Sequence, residues 1–396
     1  MDLRSNHARG GGKVANPEGF APLRVELPTG SKVPGAKRVK IRSGPYKVPN
    51  MGVKSMGHAG MLPNYPDTKI ERPCEGECTI LWQQSGLEFP NGTNANIDSG
   101  LWLHHMVHFN SGPTRWDATG WSYGLLCIPF LPVMNRVTSA ERFYTSGNER
   151  SPFIYNPNEN GLESGSGYHL RKEDKFAYLV ELMNMNMEDA VVYMTMTYDY
   201  LPGELPKGWT ETKSVWLDAF QCGTSEVRAP QENGSFSIKS GRWSPNFEGT
   251  VLSAMGHVHD GGMEVDVQMT TDKSLCKTQT QYAETPQYVF RGASMGGDKV
   301  ATNHISSMKG CTNKDVVAGT KMEKGQSWMV KGDYDFSKND GNLEGGKQSD
   351  IMAIAMVLVQ VPPGPLPAPG SAALRKTPKT GRWVQEEDGA YIRGSG

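Results

Sequence analysis

Between Arg38 and Val361 the apolar residues come in short runs, each closed by glycine, proline or a polar pair, and no long segment keeps a helical 3.6-residue period. A chain patterned this way can bury its apolar surface only through many strands joined by turns, so the fold class read from it is all-β. The 46 glycines and 26 prolines supply the turns. Strands are expected at Cys78 to Trp82, Leu101 to Phe109, Gly124 to Phe130, Lys175 to Met183 and Val191 to Tyr200. After the breaker Leu201-Pro202-Gly203-Glu204-Leu205-Pro206-Lys207-Gly208 a second series follows. It comprises Gly249 to His259, Met263 to Met269, Tyr288 to Arg291, Ser327 to Tyr334 and Asp350 to Val361. The spacing reads as two β-sandwich domains in tandem with flexible termini: an arm over 1–35, sandwiches over 36–205 and 206–362, and a Pro-rich tail over 363–396.

Charge removes some partners. The formal net charge is -1 and no basic stripe alternates with aromatics, so nucleic acid is not expected as a partner. No run approaches the roughly 18 to 20 apolar residues of a membrane span. Met1 to His7 lacks the apolar core of a signal peptide. The six cysteines, Cys74, Cys78, Cys127, Cys222, Cys276 and Cys311, are even in number and form no paired C-x-x-C knuckles. They read as disulfides, with Cys276 and Cys311 bracketing one β-rich segment as the expected pair. With Asn91-Gly92-Thr93 and Asn233-Gly234-Ser235 as glycosylation acceptors, the expectation is a secreted glycoprotein whose leader is absent from this chain.

The chemistry lies in the histidines. His257-Val258-His259 sits in an expected strand, where side chains repeat every two residues, so both imidazoles point to one face. Adjacent His104-His105 would point to opposite faces, and both can meet one ion only if the strand bulges. Met352 is a candidate thioether. Nitrogen and soft sulfur donors suit copper better than calcium or magnesium. A lone strand histidine is usually a hydrogen-bonded structural residue, but five of the nine, His104, His105, His108, His257 and His259, fall in two short motifs.

The order His104-His105-Met106, then His257-Val258-His259, then Ser349-Asp350-Ile351-Met352 resembles the copper type II, ascorbate-dependent monooxygenases, which include the peptidylglycine and dopamine hydroxylases. The wider chain is closest in outline to the stress-up-regulated nodulin-like secreted proteins, through Gly147 to Pro152 and Leu182 to Asn186. The first resemblance implies two jelly-roll domains, each holding one copper across a solvent-filled cleft. It implies His104 and His105 on the first ion, and His257, His259 and Met352 on the second, oxygen-activating one. It further implies ascorbate or a similar reductant, and O2 with a small-molecule substrate.

Two departures qualify it. The family's third histidine for the first copper would fall in Phe176 to Met183, which has none; His169, Met183 or His108 would have to replace it. The family's substrate-anchoring arginine is replaced by Met255, with Ile354 and Met356 also apolar, and a buried carboxylate without a cation is strongly disfavoured. A neutral or apolar substrate is expected. Asp260 reads as a support for a histidine or as a turn cap, and the methionine-rich run Leu182 to Met196 as core filler or copper traffic. Three functions follow: a copper monooxygenase hydroxylating a C–H bond, a non-catalytic copper-binding stress protein, and a single-copper oxidoreductase with only the second site intact.

Overall fold

The structure is a computed structural model describing residues 11–20, 23–55, 58–119, 140–157, 165–220, 225–270, 273–292, 299–312, 319–364 and 383–393. Among these residues there is no α-helix, only two 3-10 turns, Ile97–Ser99 and Pro286–Tyr288. The chain is all-β. The strand expected at Gly124 to Phe130, with Cys127 and Cys222, lies outside the described residues.

Three sheets carry the fold. The largest has eleven strands, with Lys37–Val48, Ala190–Pro202, Cys78–Glu88, Ser166–Leu170, Thr210–Asp218, Ala353–Gln360 and Gly249–Val258 side by side in that order. The second holds Met61–Ile70, Lys175–Asn184, Leu101–Ser111 and Ala140–Ser146. The third is built around Lys273–Tyr282, Gly262–Met269, Trp328–Asp335 and Ser235–Lys239. The large sheet crosses the breaker at 201–208 without interruption, because Ser166 and Gly167 pair in parallel with Thr210 and Glu211.

Strand alternation divides the apolar residues between two cores. Along Ala353–Gln360, Ile354, Met356 and Leu358 join the first, while Ala353, Ala355, Val357 and Val359 join the second. On Thr210–Asp218, Trp216 faces the first core, and Val215 and Leu217 face the second. A strand apolar on both faces is what a position between two cores requires.

Both termini differ from expectation. Gly12–Lys13 and Arg24–Leu27 pair with Lys37–Val48 within the stretch read as an arm, and Arg24 holds Glu71 at 2.9 Å. Within the stretch read as a tail, Trp383–Gln385 and Tyr391–Arg393 form a hairpin on Ser235–Lys239. Trp383 explains this, since it stacks edge-on against Phe220 and donates to the Arg228 carbonyl. Tyr288 to Arg291 is not a strand: Pro286 opens a 3-10 turn there, and only Val289 bridges, to Asn303. Cys276 and Cys311 are joined as expected, and Cys74 pairs with Cys78.

A buried charge network ties the second sheet to the first. Arg115 holds Asp174 and Glu141, Lys213 holds Glu141, and Arg142 grips Asp117 at 2.6 Å. Burial alone would raise the Asp117 carboxyl, but the Arg142 charge and hydrogen bonds outweigh it and hold that group far below its ordinary value. A depressed folded-state value means its contribution is fully present above about pH 4 and is lost as pH falls through the folded value. Asp117→Asn should therefore cost about 3 to 5 kcal/mol at pH 7 by stranding a buried guanidinium. Urea unfolding of parent and variant should show that gap narrowing only at the acid end, well below pH 4.

Candidate metal centre

Consecutive residues on a regular strand face opposite sides, and Leu101–Ser111 departs from this at one place. Glu181 pairs with His105 and Leu182 with Leu103, so His104 is an extra residue without a partner across the ladder. This is the bulge the sequence required, and it turns both imidazoles together, their Nδ1 atoms 3.3 Å apart. The strand on the other side of Glu181 is irregular at the same level: Val180 pairs with Tyr65 and Leu182 with Leu62, leaving Pro63 and Asn64 opposite Glu181. Asn64 adopts φ 40°, a conformation its short polar side chain tolerates. Its amide donates to Glu181 Oε2 at 3.2 Å, and its Oδ1 lies 3.3 Å from His105 Nε2. If Nε2 carries the proton, His105 Nδ1 is left as a lone pair.

The second pair comes from Gly249–Val258, where His257 lies opposite Ile354. His257 Nδ1 meets Glu149 Oε1 at 3.1 Å, and that carboxylate also accepts the Gly147 amide at 2.9 Å. Gly147 has no room for a side chain, since a Cβ there would lie 2.5 Å from His257 Cε1. His259 Nδ1 donates to the Asp350 carbonyl at 2.8 Å. With each Nδ1 proton engaged, Nε2 is left as the lone pair, and both Nε2 atoms are buried without a hydrogen-bond partner.

The two pairs converge. The rings of His104 and His259 have centroids 4.7 Å apart. Glu226 Oε1 lies 3.7 Å from His104 Nδ1 and 3.8 Å from both His105 Nδ1 and His259 Nε2. Glu226 is placed by its neighbour Val227, which bridges Ile351. One donor atom from each of His104, His105, Glu226 and His259 lies within 4.8 Å of the others. These gaps are too long for hydrogen bonds to the carboxylate. Donors about 2.0 to 2.2 Å from one ion in a tetrahedron stand roughly 3.3 to 3.6 Å apart, so this set, somewhat wider than that, would close in slightly around a metal of that size. The family resemblance implies the two histidine pairs on two ions; the structure gathers His104, His105 and His259 into one group, with His257 beside it.

The remaining candidates separate. Met352 is buried in the first core, and its main chain is held by Tyr334, which also accepts the His259 amide at 3.2 Å. Register puts it on the same sheet face as His257. His169 is not with the group: it lies on the large sheet, with Thr79 at 3.1 Å and Glu77 at 3.3 Å. His108 is not with it either, being enclosed by Phe143, Phe176 and Tyr178. Met183 lines the cleft. Asp260 braces the adjoining wall, accepting from His304, Asn342 and the Ile305 amide.

Electrostatics keep the donors available. Burial pushes His105 down to about 4, and it pushes His259 well below its ordinary value with help from the neighbouring imidazoles. Glu181 and Glu149 lie low although burial opposes this, because His105 and His104 face the first and His257 the second. The group opens on a cleft of about 590 Å³ whose apolar side includes Trp102, Met183, Phe336 and Leu343. Glu149, Glu181 and Glu226 went unnoticed in the sequence, where no spacing marks them out among 42 acidic residues.

Two known proteins are similar to this chain in sequence. The chain is 29% identical to the probable copper-dependent oxygenase clz3 of Cochliobolus lunatus over 66% of its own length and 74% of that protein's. It is 28% identical to the probable copper-dependent oxygenase M1 of Phoma sp. (strain ATCC 20986 / MF5453) over 77% and 69%. No family model matches. Among solved structures, PNGF-II overlaps 86% of this chain and 65% of its own at 7% identity, and its TM-score of 0.32 carries no argument.

Both His108 ring nitrogens are buried without a hydrogen-bond partner. His108→Phe should therefore stabilise the protein by about 1 kcal/mol while leaving metal content unchanged. Thermal unfolding together with elemental analysis checks both; a loss of metal would place His108 in the centre after all.

Proposed function

We propose that the chain is a copper-dependent oxygenase working at one centre, held by His104, His105, Glu226 and His259. The observation that carries this is the convergence of imidazoles from two distant strands, with buried Nε2 lone pairs left unpaired, in a chain similar to two proteins named for that chemistry. Copper bound there would supply redox chemistry with O2, inserting oxygen into a C–H bond with electrons from ascorbate or a similar external reductant.

The protein's own residues hold the geometry. Glu149 and the Asp350 carbonyl fix the orientation of His257 and His259. The bulge at His104 and the carboxylate of Glu181 aim the first pair, with Glu181 Oε1 at 3.0 Å from His104 Nδ1. His257, anchored by Glu149, presents Nε2 beside the group as a further ligand or as a contact for substrate, and Met352 remains the thioether candidate on the same face.

A neutral or apolar substrate suits the cleft. Met255 is buried against Met356 rather than lining the cleft, so it places no cation where the resembling family has one. Of the cations that reach the rim, Arg228 is engaged by the Gln348 carbonyl and Lys299 by Asp340, while Lys54 also lines the cleft. The two disulfides and the exposed Asn91 and Asn233 fit a secreted glycoprotein.

The convergence favours one centre shared by both histidine pairs over two separated ions, and over a second site acting alone. Reconstituted protein should hold copper, and His259→Ala or Glu226→Ala should weaken binding at least about 10-fold. Ascorbate-driven oxygen uptake should fall in step with bound copper. Nitrogen-ligated copper retained by the double variant His104→Ala/His259→Ala would overturn the assignment, and copper-loaded protein that consumes no oxygen with ascorbate would leave a binding protein instead.

A further inference from the structure

The methionine-rich run from Leu182 to Met196 divides cleanly once folded. Met194 and Met196 are fully buried in the first core, whereas Met183 and Met185 line the cleft together with Met51 and Met61. The backbone register arranges them. Met183 lies directly opposite Met61 on one side and Trp102 on the other, a cross-strand row of two thioethers and an indole. The adjacent row, Leu62, Leu182 and Leu103, points the other way into the core. Met51 lies beside Gly60, the residue before Met61, its Sδ 2.9 Å from where a Cβ on Gly60 would sit.

Core filling accounts for the leucine row and for Met194 and Met196; Met61 is also largely buried and Met183 and Met185 pack on Ile97, Trp102 and Phe290, yet all three keep a face on the cleft. Glu181 stands two residues before Met183 on the same strand face, about 7 Å away by strand geometry. Glu226 and Glu344 line the same cleft, as do Lys54, His58, Arg228 and Lys299, with Glu344 held by His58 at 2.8 Å, so selection at this wall rests on the thioethers rather than on net charge. Thioethers select soft cations, and an indole adds a cation–π contact. We propose that Met61 and Met183, supported by Met51 and Met185, form a binding site for copper(I) on the cleft wall, distinct from the histidine group.

This deepens the copper reading but does not need the histidine group to be loaded. The test titrates the full-length chain anaerobically with copper(I) against a colorimetric chelator and records copper X-ray absorption. Met61→Leu/Met183→Leu preserves volume and apolarity, so the fold should tolerate it. It should bind about one ion per chain fewer than the parent and lose sulfur scattering, while keeping its nitrogen and oxygen shell. Met187→Leu, at a position 60% exposed and outside the cleft lining, should change neither readout. His104→Ala/His259→Ala should lose the nitrogen-rich ion and keep the sulfur-bound one. Equal stoichiometry and equal sulfur scattering in the parent and the double leucine variant would overturn the site. Unchanged nitrogen-shell copper in the double alanine variant would instead overturn the histidine centre, leaving the thioether site standing.

Discussion

The arrangement of the site depends on one irregularity, the extra residue His104 in an otherwise paired strand. In regular register, His104 and His105 would straddle the sheet and at most one could face the cleft. The bulge removes that restriction, and the opposing distortion at Pro63 and Asn64 leaves Glu181 flanked by irregular strand on both sides. Glu181 then becomes the acceptor that His104 Nδ1 meets at 3.0 Å, while Asn64 holds His105 from the other side. Ladder hydrogen bonds given up locally become a rigid cluster of donors.

The second requirement is that the other histidine pair arrive from far away in sequence. Gly249–Val258 is brought there by pairing with Ala353–Gln360, which in turn pairs with Thr210–Asp218. These strands pack apolar side chains on both faces, so their register is fixed twice over. A one-residue slip would exchange His257 with Val258 and move the lone pairs into the second core. Position is therefore secured by packing, and orientation by the acceptors Glu149 and Asp350.

The sequence was most informative where a residue's meaning depends on its immediate neighbours. The adjacent His104-His105 predicts a bulge and Cys276 and Cys311 predict a disulfide, and both are present, while the rings of His257 and His259 stand 5.6 Å apart where the strand ends at Val258. It was least informative where meaning depends on the topology. His169 was nominated for its closeness in sequence to Phe176, but its strand pairs with Cys78–Glu88 on another sheet. Glu226 and Glu149 lie in loops and join the site only through Val227 and Gly147. The terminal strands were hidden by the composition around them, since proline and glycine outnumber the few residues, such as Trp383, that anchor them.

The shared strand Ala353–Gln360 also bears on how such a protein comes apart. Because its two faces belong to different cores, neither half can shed its partner without exposing a row of methionine, isoleucine and leucine to water. The halves should melt as a single cooperative unit instead of as beads on a string. A cut in the loop between Ala190–Pro202 and Thr210–Asp218 would then yield two fragments that remain associated, with the imidazoles still assembled across the nick.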